Sequence, residues 1–233
     1  GFPVFGEEIP GPRVPIVPGA VIFDLLAGPQ RPSAADGEAA LRAALAGHDA
    51  TSGSVGAGTG ACAGKVRGGV GTALVDVSSF SVAAVVVANP VGQVIDAETG
   101  RLFGAPGVPA VDIERFAAAR SLAESFAESS RLNTTIGAVL TDAPLSKAQT
   151  KRLALAGHDG IARAVRPAHS PLDGDTLFAA SSGVRSAERG IGPAELASLS
   201  AAAADAVEAA IVDAVVSASP GLGLEAYSSL RAC

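Results

Sequence analysis

A chain of 233 residues, 48% hydrophobic and 17% charged, suits one extensively buried domain and excludes a disordered polar polymer. A formal net charge of −6, with 17 Lys and Arg residues scattered along the chain, excludes the basic footprint of a nucleic-acid binder. Every apolar stretch is interrupted by Gly, Pro or charge, so no membrane span is expected, and Cys62 and Cys233, which lack metal-ligand spacing, fit a reducing, cytoplasmic compartment with no disulfide framework, metal or cofactor.

Residues 1–13 are rich in Pro and Gly and read as an irregular lead-in. Val14 to Leu26 is an extended apolar segment whose early part Pro15 and Pro18 confine to an edge or a bend. Ser33 to His48 predicts a short helix: Ser33 and Asp36 offer an N-terminal cap, and Ala40, Leu41, Ala44 and Leu45 recur at helical spacing. His48 at its end complements the helix dipole and is assigned no chemistry.

Thr51 to Gly71 is dense in glycine around Cys62 and Lys65. It contains neither a phosphate-binding Gly-x-x-x-x-Gly-Lys-Ser/Thr loop nor a strand-linked Gly-x-Gly-x-x-Gly with a following acid, so the glycines imply close backbone approach and tight turns. Val70–Val77 and Phe80–Asn89 read as paired strands, the second apolar enough to be buried on both faces. Asn89 precedes Pro90, which is first a turn signal. An amide at the end of a buried strand is also a suitable oxyanion donor. Pro109 to Phe126 carries a helical pattern and ends in a polar tether through Arg131.

That tether meets Leu132-Asn133-Thr134-Thr135-Ile136-Gly137-Ala138-Val139-Leu140-Thr141-Asp142, where a hydroxyl pair stands at the entrance of an uncharged strand. Asn-Thr-Thr matches a glycan acceptor, and a Thr-Thr pair before a strand is also ordinary β-propensity. With no secretory segment visible and a buried strand following, the glycan reading is disfavoured. A third reading is self-cleavage. Attack of the Thr134 hydroxyl on the Asn133 carbonyl would leave a threonine holding both nucleophile and base, because an α-amino group has a reference pKa of about 7.7 to 8.0.

Downstream, Ser146 and Gln149 form a capping box. Leu153, Ala154, Gly157, His158, Ile161 and Val165 then share one helical face until Pro167. His158 reads as a hydrogen-bonded packing residue and His169 as structural rather than a general base. Asp173-Gly174-Asp175 precedes a strand at Thr176–Ala180; two carboxylates at this spacing address one side of an extended segment, with too few oxygen ligands nearby for a divalent metal. Pro193 starts a long alanine-rich helix through Leu199, Val207, Ile211 and Val215, closed by Pro220-Gly221, and the tail through Tyr227 reads as irregular.

The stretches around Asn133-Thr134, Thr141-Asp142-Ala143, Ala156-Gly157-His158-Asp159-Gly160, Arg166-Pro167-Ala168-His169 and Leu172 to Ala179 together resemble the self-processing aminopeptidases. That family includes the L-aminopeptidase D-amidase/D-esterases, the β-peptidyl aminopeptidases and the 6-aminohexanoate-oligomer hydrolases. The likeness starts near Val14 and runs almost to the C-terminus. It implies a single self-processing α/β domain over residues 1–233, a four-layer αββα sandwich of the N-terminal-nucleophile type, incomplete at the N-terminus because family members carry a further upstream portion. It also implies division into an α-chain part (1–133) and a β-chain part (134–233). The reaction implied is hydrolysis of small peptides or amides through an acyl-enzyme on Thr134, in a homo-oligomer without membrane or nucleic-acid partners.

By the same resemblance, Lys65 and Asn89 would stabilise charge on oxygen, and Asp173 and Asp175 would orient the amino group and hydroxyl of Thr134. Phe23 stands where some members place a pocket tyrosine, which removes a hydroxyl donor from the substrate pocket. Two readings remain beside this one: a non-catalytic remnant or scaffold subunit, and an acyltransferase of the ornithine acetyltransferase type.

Overall fold

The computed structural model describes residues 2–3, 11–25, 28–119, 133–185 and 190–232. A two-stranded ribbon of β1 (Phe2–Pro3) and β2 (Arg13–Val14) opens the chain. Helix α1 (Ala34–Leu45) follows, capped as expected by the reciprocal Ser33–Asp36 box. Its apolar residues do not enter the core: α1 buries no side chain, and Leu41 and Leu45 are exposed. Small residues at helical spacing specify the helix without specifying a partner for it.

A hairpin of β3 (Cys62–Ala63) and β4 (Val66–Arg67) precedes the main sheet, with Lys65 in its turn. The sheet has the order β5 (Gly69–Val77), β6 (Phe80–Ala88), β7 (Ile136–Thr141), β8 (Thr176–Ser181); β5, β6 and β7 run antiparallel, and β8 lies parallel to β7. Between β6 and β7 lies α2 (Ile113–Ala118), which starts after the Asp112 cap rather than at Pro109; the predicted helix beyond residue 119 and its polar tether lie outside the described residues. Helix α3 (Lys147–Ala164) makes the crossover that a parallel β7–β8 pair demands.

Helix α4 (Pro193–Val216) packs across β5 and β6 and along α3. Its buried stripe of Leu199, Ala203, Val207, Ala210, Ile211 and Ala214 meets Val82, Val86, Val139, Leu153 and Ile161 in one core. Close approach is set by glycine. A Cβ on Gly71 would lie 1.9 Å from the Ala210 carbonyl oxygen, and one on Gly160 would lie 2.2 Å from that of Ala204. Asp213 of α4 accepts the Thr72 backbone N–H at 2.9 Å, tying helix to sheet.

Two sequence expectations are corrected. Strand β6 is not buried on both faces: the helices cover one, while Val85 beside exposed Leu74 and Leu140 lies on the other. The apolar segment from Val14, confined at its start to an edge or a bend as read, places Val14 in the β1–β2 ribbon and leaves Ile16, Val17 and Val21 exposed. The tail is not wholly irregular, because α5 (Tyr227–Leu230) buries Tyr227 and Leu230, and the Tyr227 hydroxyl donates to the Pro109 carbonyl. The mixed α/β class is as expected: among the described residues, a four-stranded sheet carries a helical layer on one face, beside two two-stranded pieces.

Candidate active site

The register of the sheet alone brings the site together. Strands β6 and β7 pair Val87 with Ile136 in antiparallel register, and β7 and β8 pair Ile136 with Thr176 in parallel register. Two residues before Ile136, the chain at Thr134 is therefore flanked by Asn89 on one side and Gly174 on the other. An Asn133–Asp173 bridge extends the parallel ladder to that level. Thr134 donates its backbone N–H to the Asn89 carbonyl at 3.0 Å, and the Asn133 N–H donates to the Leu172 carbonyl at 3.2 Å.

At the centre, the Thr134 hydroxyl donates to the carbonyl oxygen of Asn133 at 2.6 Å. The same carbonyl accepts the Gly174 N–H at 3.1 Å. Asn133 is held on its other side by its own amide, whose Nδ2 donates to the Pro90 carbonyl at 3.0 Å. Thus the peptide unit between Asn133 and Thr134 is fixed at both residues, with the Thr134 hydroxyl folded back onto the preceding carbonyl.

The two aspartates do different work. Asp175 is almost wholly enclosed: Oδ1 accepts the Thr135 N–H at 2.9 Å, and Oδ2 lies 2.8 Å from His169 Nδ1. Asp173 accepts the Val91 N–H on Oδ1 at 2.9 Å, while its Oδ2 is shut off from water without a hydrogen-bond partner among the described residues. Desolvation pushes the Asp173 carboxyl up, the Val91 N–H opposes it, and the charge of Asp175 adds a smaller upward push. A half-buried carboxylate with an orphaned oxygen is poised to receive a cation or a proton donor.

Lys65 and Asn89 are less direct. The Lys65 ammonium donates to the Ala117 carbonyl at 3.3 Å, and its backbone N–H to Gln93 Oε1 at 3.2 Å. The Asn89 side chain accepts the Cys62 N–H at 2.9 Å and donates Nδ2 to the Phe23 carbonyl at 3.3 Å. Asn89 therefore meets Thr134 through its backbone and ties the β3–β4 hairpin and the Phe23 segment to the end of β6. Phe23 is half-buried there.

Two neighbours were not assigned chemistry from the sequence. Nothing local marks Gly174 between its aspartates; the parallel pairing of the two strands sets it opposite Thr134. His169 stands behind Asp175, its ring centroid 5.1 Å from that of His158. Burial is the main cause that holds the His158 imidazole below its ordinary range, with the neighbouring His169 acting in the same direction. Cys62 is no competing nucleophile: desolvation pushes its buried thiol up to about 11 and its Sγ lies against the Gly60 carbonyl at 3.4 Å. Among the described residues no group of three or more His, Cys, Asp or Glu side chains could hold a metal ion, and no helix is long and apolar enough to cross a membrane.

The model of peptidase family S58 matches residues 6–227. An uncharacterized aminopeptidase of Mycobacterium tuberculosis is 43% identical over 235 residues, covering 93% of this chain and 67% of that relative. A 6-aminohexanoate-oligomer endohydrolase of Paenarthrobacter ureafaciens is 34% identical over 184 residues, covering 70% of this chain and 49% of that enzyme. Among solved structures, the L-aminopeptidase D-Ala-esterase/amidase of Ochrobactrum anthropi, a serine aminopeptidase with a variant Ntn-hydrolase fold, superposes with a TM-score of 0.53 at 29% identity, over 78% of this chain and 50% of that one. A β-aminopeptidase of Burkholderia sp. gives a TM-score of 0.54 at 27% identity, over 81% and 54%. The chain thus spans about half the length of the solved structures it matches.

Proposed function

Because the chain belongs to peptidase family S58, we propose that it is a self-cleaving amidohydrolase or aminopeptidase whose nucleophile is Thr134, acting on small peptides or amides through an acyl-enzyme. The observation that carries this reading is the Thr134 hydroxyl lying 2.6 Å from the oxygen of the carbonyl it would attack. In the first step Oγ1 adds to the Asn133 carbonyl carbon, its proton passes to the peptide nitrogen, and the C–N bond breaks to leave an ester. Water then hydrolyses the ester, giving an Asn133 carboxylate and a Thr134 with a free α-amino group. That amine serves as base for the next attack, on substrate.

Asp173 and Asp175 support the step after cleavage. The orphaned Asp173 oxygen offers a carboxylate to the released amino group, and Asp175, braced by His169, holds Thr135 in place. Lys65 and Asn89 act in this reading on substrate oxygen or on the walls around it. The reading carries with it a division at residues 133 and 134, a homo-oligomer and a cytoplasmic setting. Thr134→Ala tests it: the variant is expected as one uncut polypeptide with amide hydrolysis at background. Two polypeptides from that variant, or undiminished hydrolysis, would refute the assignment.

A further inference from the structure

We propose that the backbone N–H of Gly174 is the oxyanion donor for cleavage at Asn133–Thr134, and that position 174 is glycine because the Thr134 hydroxyl occupies the space a side chain would fill. The proposal rests on the self-cleavage reading above and assigns a group to it that none of the polar side chains supplies. When Oγ1 adds to the Asn133 carbonyl, negative charge gathers on an oxygen that has two donors among the described residues: the Thr134 hydroxyl at 2.6 Å and the Gly174 N–H at 3.1 Å. The hydroxyl gives up its proton in the same step and ceases to be a donor. The Gly174 N–H remains. At 3.1 Å its bond has room to tighten as charge builds, so it favours the transition state over the resting peptide.

The side chains expected at this task are engaged elsewhere, Lys65 Nζ on Ala117 and Asn89 Nδ2 on Phe23. The donor is fixed by fold rather than by rotamer, since it belongs to the ladder through Asn133 and Asp173 that extends the β7–β8 pairing. The steric half is independent of the electrostatic one. A Cβ built on Gly174 would lie 2.9 Å from Thr134 Oγ1, with the Thr134 methyl next at 3.5 Å, and Gly174 has no positive φ that would otherwise demand glycine. Because a substrate acyl group on Thr134 takes the place of the Asn133 acyl group, the same N–H serves turnover as well as maturation.

Gly174 is exposed, so Gly174→Ala is expected to fold. Its cleavage, followed by intact mass after synthesis of the full chain, is expected to slow at least about tenfold while its melting curve stays that of the unsubstituted protein. Replacing Gly174 by glycolate removes the N–H without changing size and is expected to slow cleavage about 100- to 1,000-fold, the usual effect of losing one oxyanion donor. Cleavage of either folded variant within about threefold of the unsubstituted rate would overturn the proposal, and the alanine variant alone decides its steric half should the ester variant not fold. An unsubstituted chain that is never cut would defeat the self-cleavage reading itself, whereas a cut chain indifferent to position 174 defeats only this inference.

Discussion

At the scale of single residues, the site concentrates unfavourable burial on one carboxylate. Asp173 keeps an oxygen away from water and from any donor, and desolvation raises its carboxyl above the ordinary range. An acid whose folded-state pKa is raised costs stability when ionised. The cost is present above the folded pKa and vanishes as pH falls below the unfolded value, near 3.8. In the Thr134→Ala background, Asp173→Asn is therefore expected to be more stable to urea than its parent at about pH 7.5, with the difference closing towards about pH 3.5. A parent that is equally stable at neutral pH would show that the carboxylate has a partner in solution. Of these residues, Thr134, Asp173 and Asp175 are the ones the family resemblance singles out, and the structure places them side by side. Gly174 and the His169–Asp175 contact were not legible in the sequence, because both depend on which strands are neighbours and in what register, and local pattern carries neither.

At the scale of elements, the helices were legible where punctuation was strong. Ser146 and Gln149 mark the start of α3, and Pro193 opens α4 with Glu195 reaching back to the Gly192 N–H at 3.0 Å. What the pattern could not tell was which apolar faces find a partner, so α1 was as readable as α3 yet buries nothing. The tightest packing is carried by residues without side chains. Gly71→Ala forces a methyl group into the Ala210 carbonyl at 1.9 Å, and Gly160→Ala into that of Ala204 at 2.2 Å. Each is expected to lose about 3 kcal/mol in equilibrium unfolding, as overpacked cores do. Gly107→Ala, with nothing within 4 Å of its added carbon, is expected to change stability by less than about 0.5 kcal/mol. Equal losses at all three positions would mean that the helix layer is not seated on the sheet as described.

At the scale of the whole molecule, one face of the sheet is sealed by α3 and α4, and the other exposes Val85 and presents Leu74 and Leu140 around a cavity of about 360 Å³ that Ala83 and Ala180 also line. That apolar face is the one a four-layer sandwich would cover with its second sheet. The α/β class was legible from alternating strand and helix signals; the openness of this face was not, since an apolar strand reads alike whether its second face is covered or bare. The Asn133–Thr134 peptide stands at the entrance of the inner strand β7, where the β6, β7 and β8 backbones lie side by side. The claim on which the rest stands is that this peptide bond is broken by the hydroxyl beside it, and the intact mass of the purified, unsubstituted protein tests it most directly. Two masses that divide the chain between Asn133 and Thr134, with threonine at the new amino terminus, are expected. One persistent full-length mass, or a division at any other bond, would contradict it.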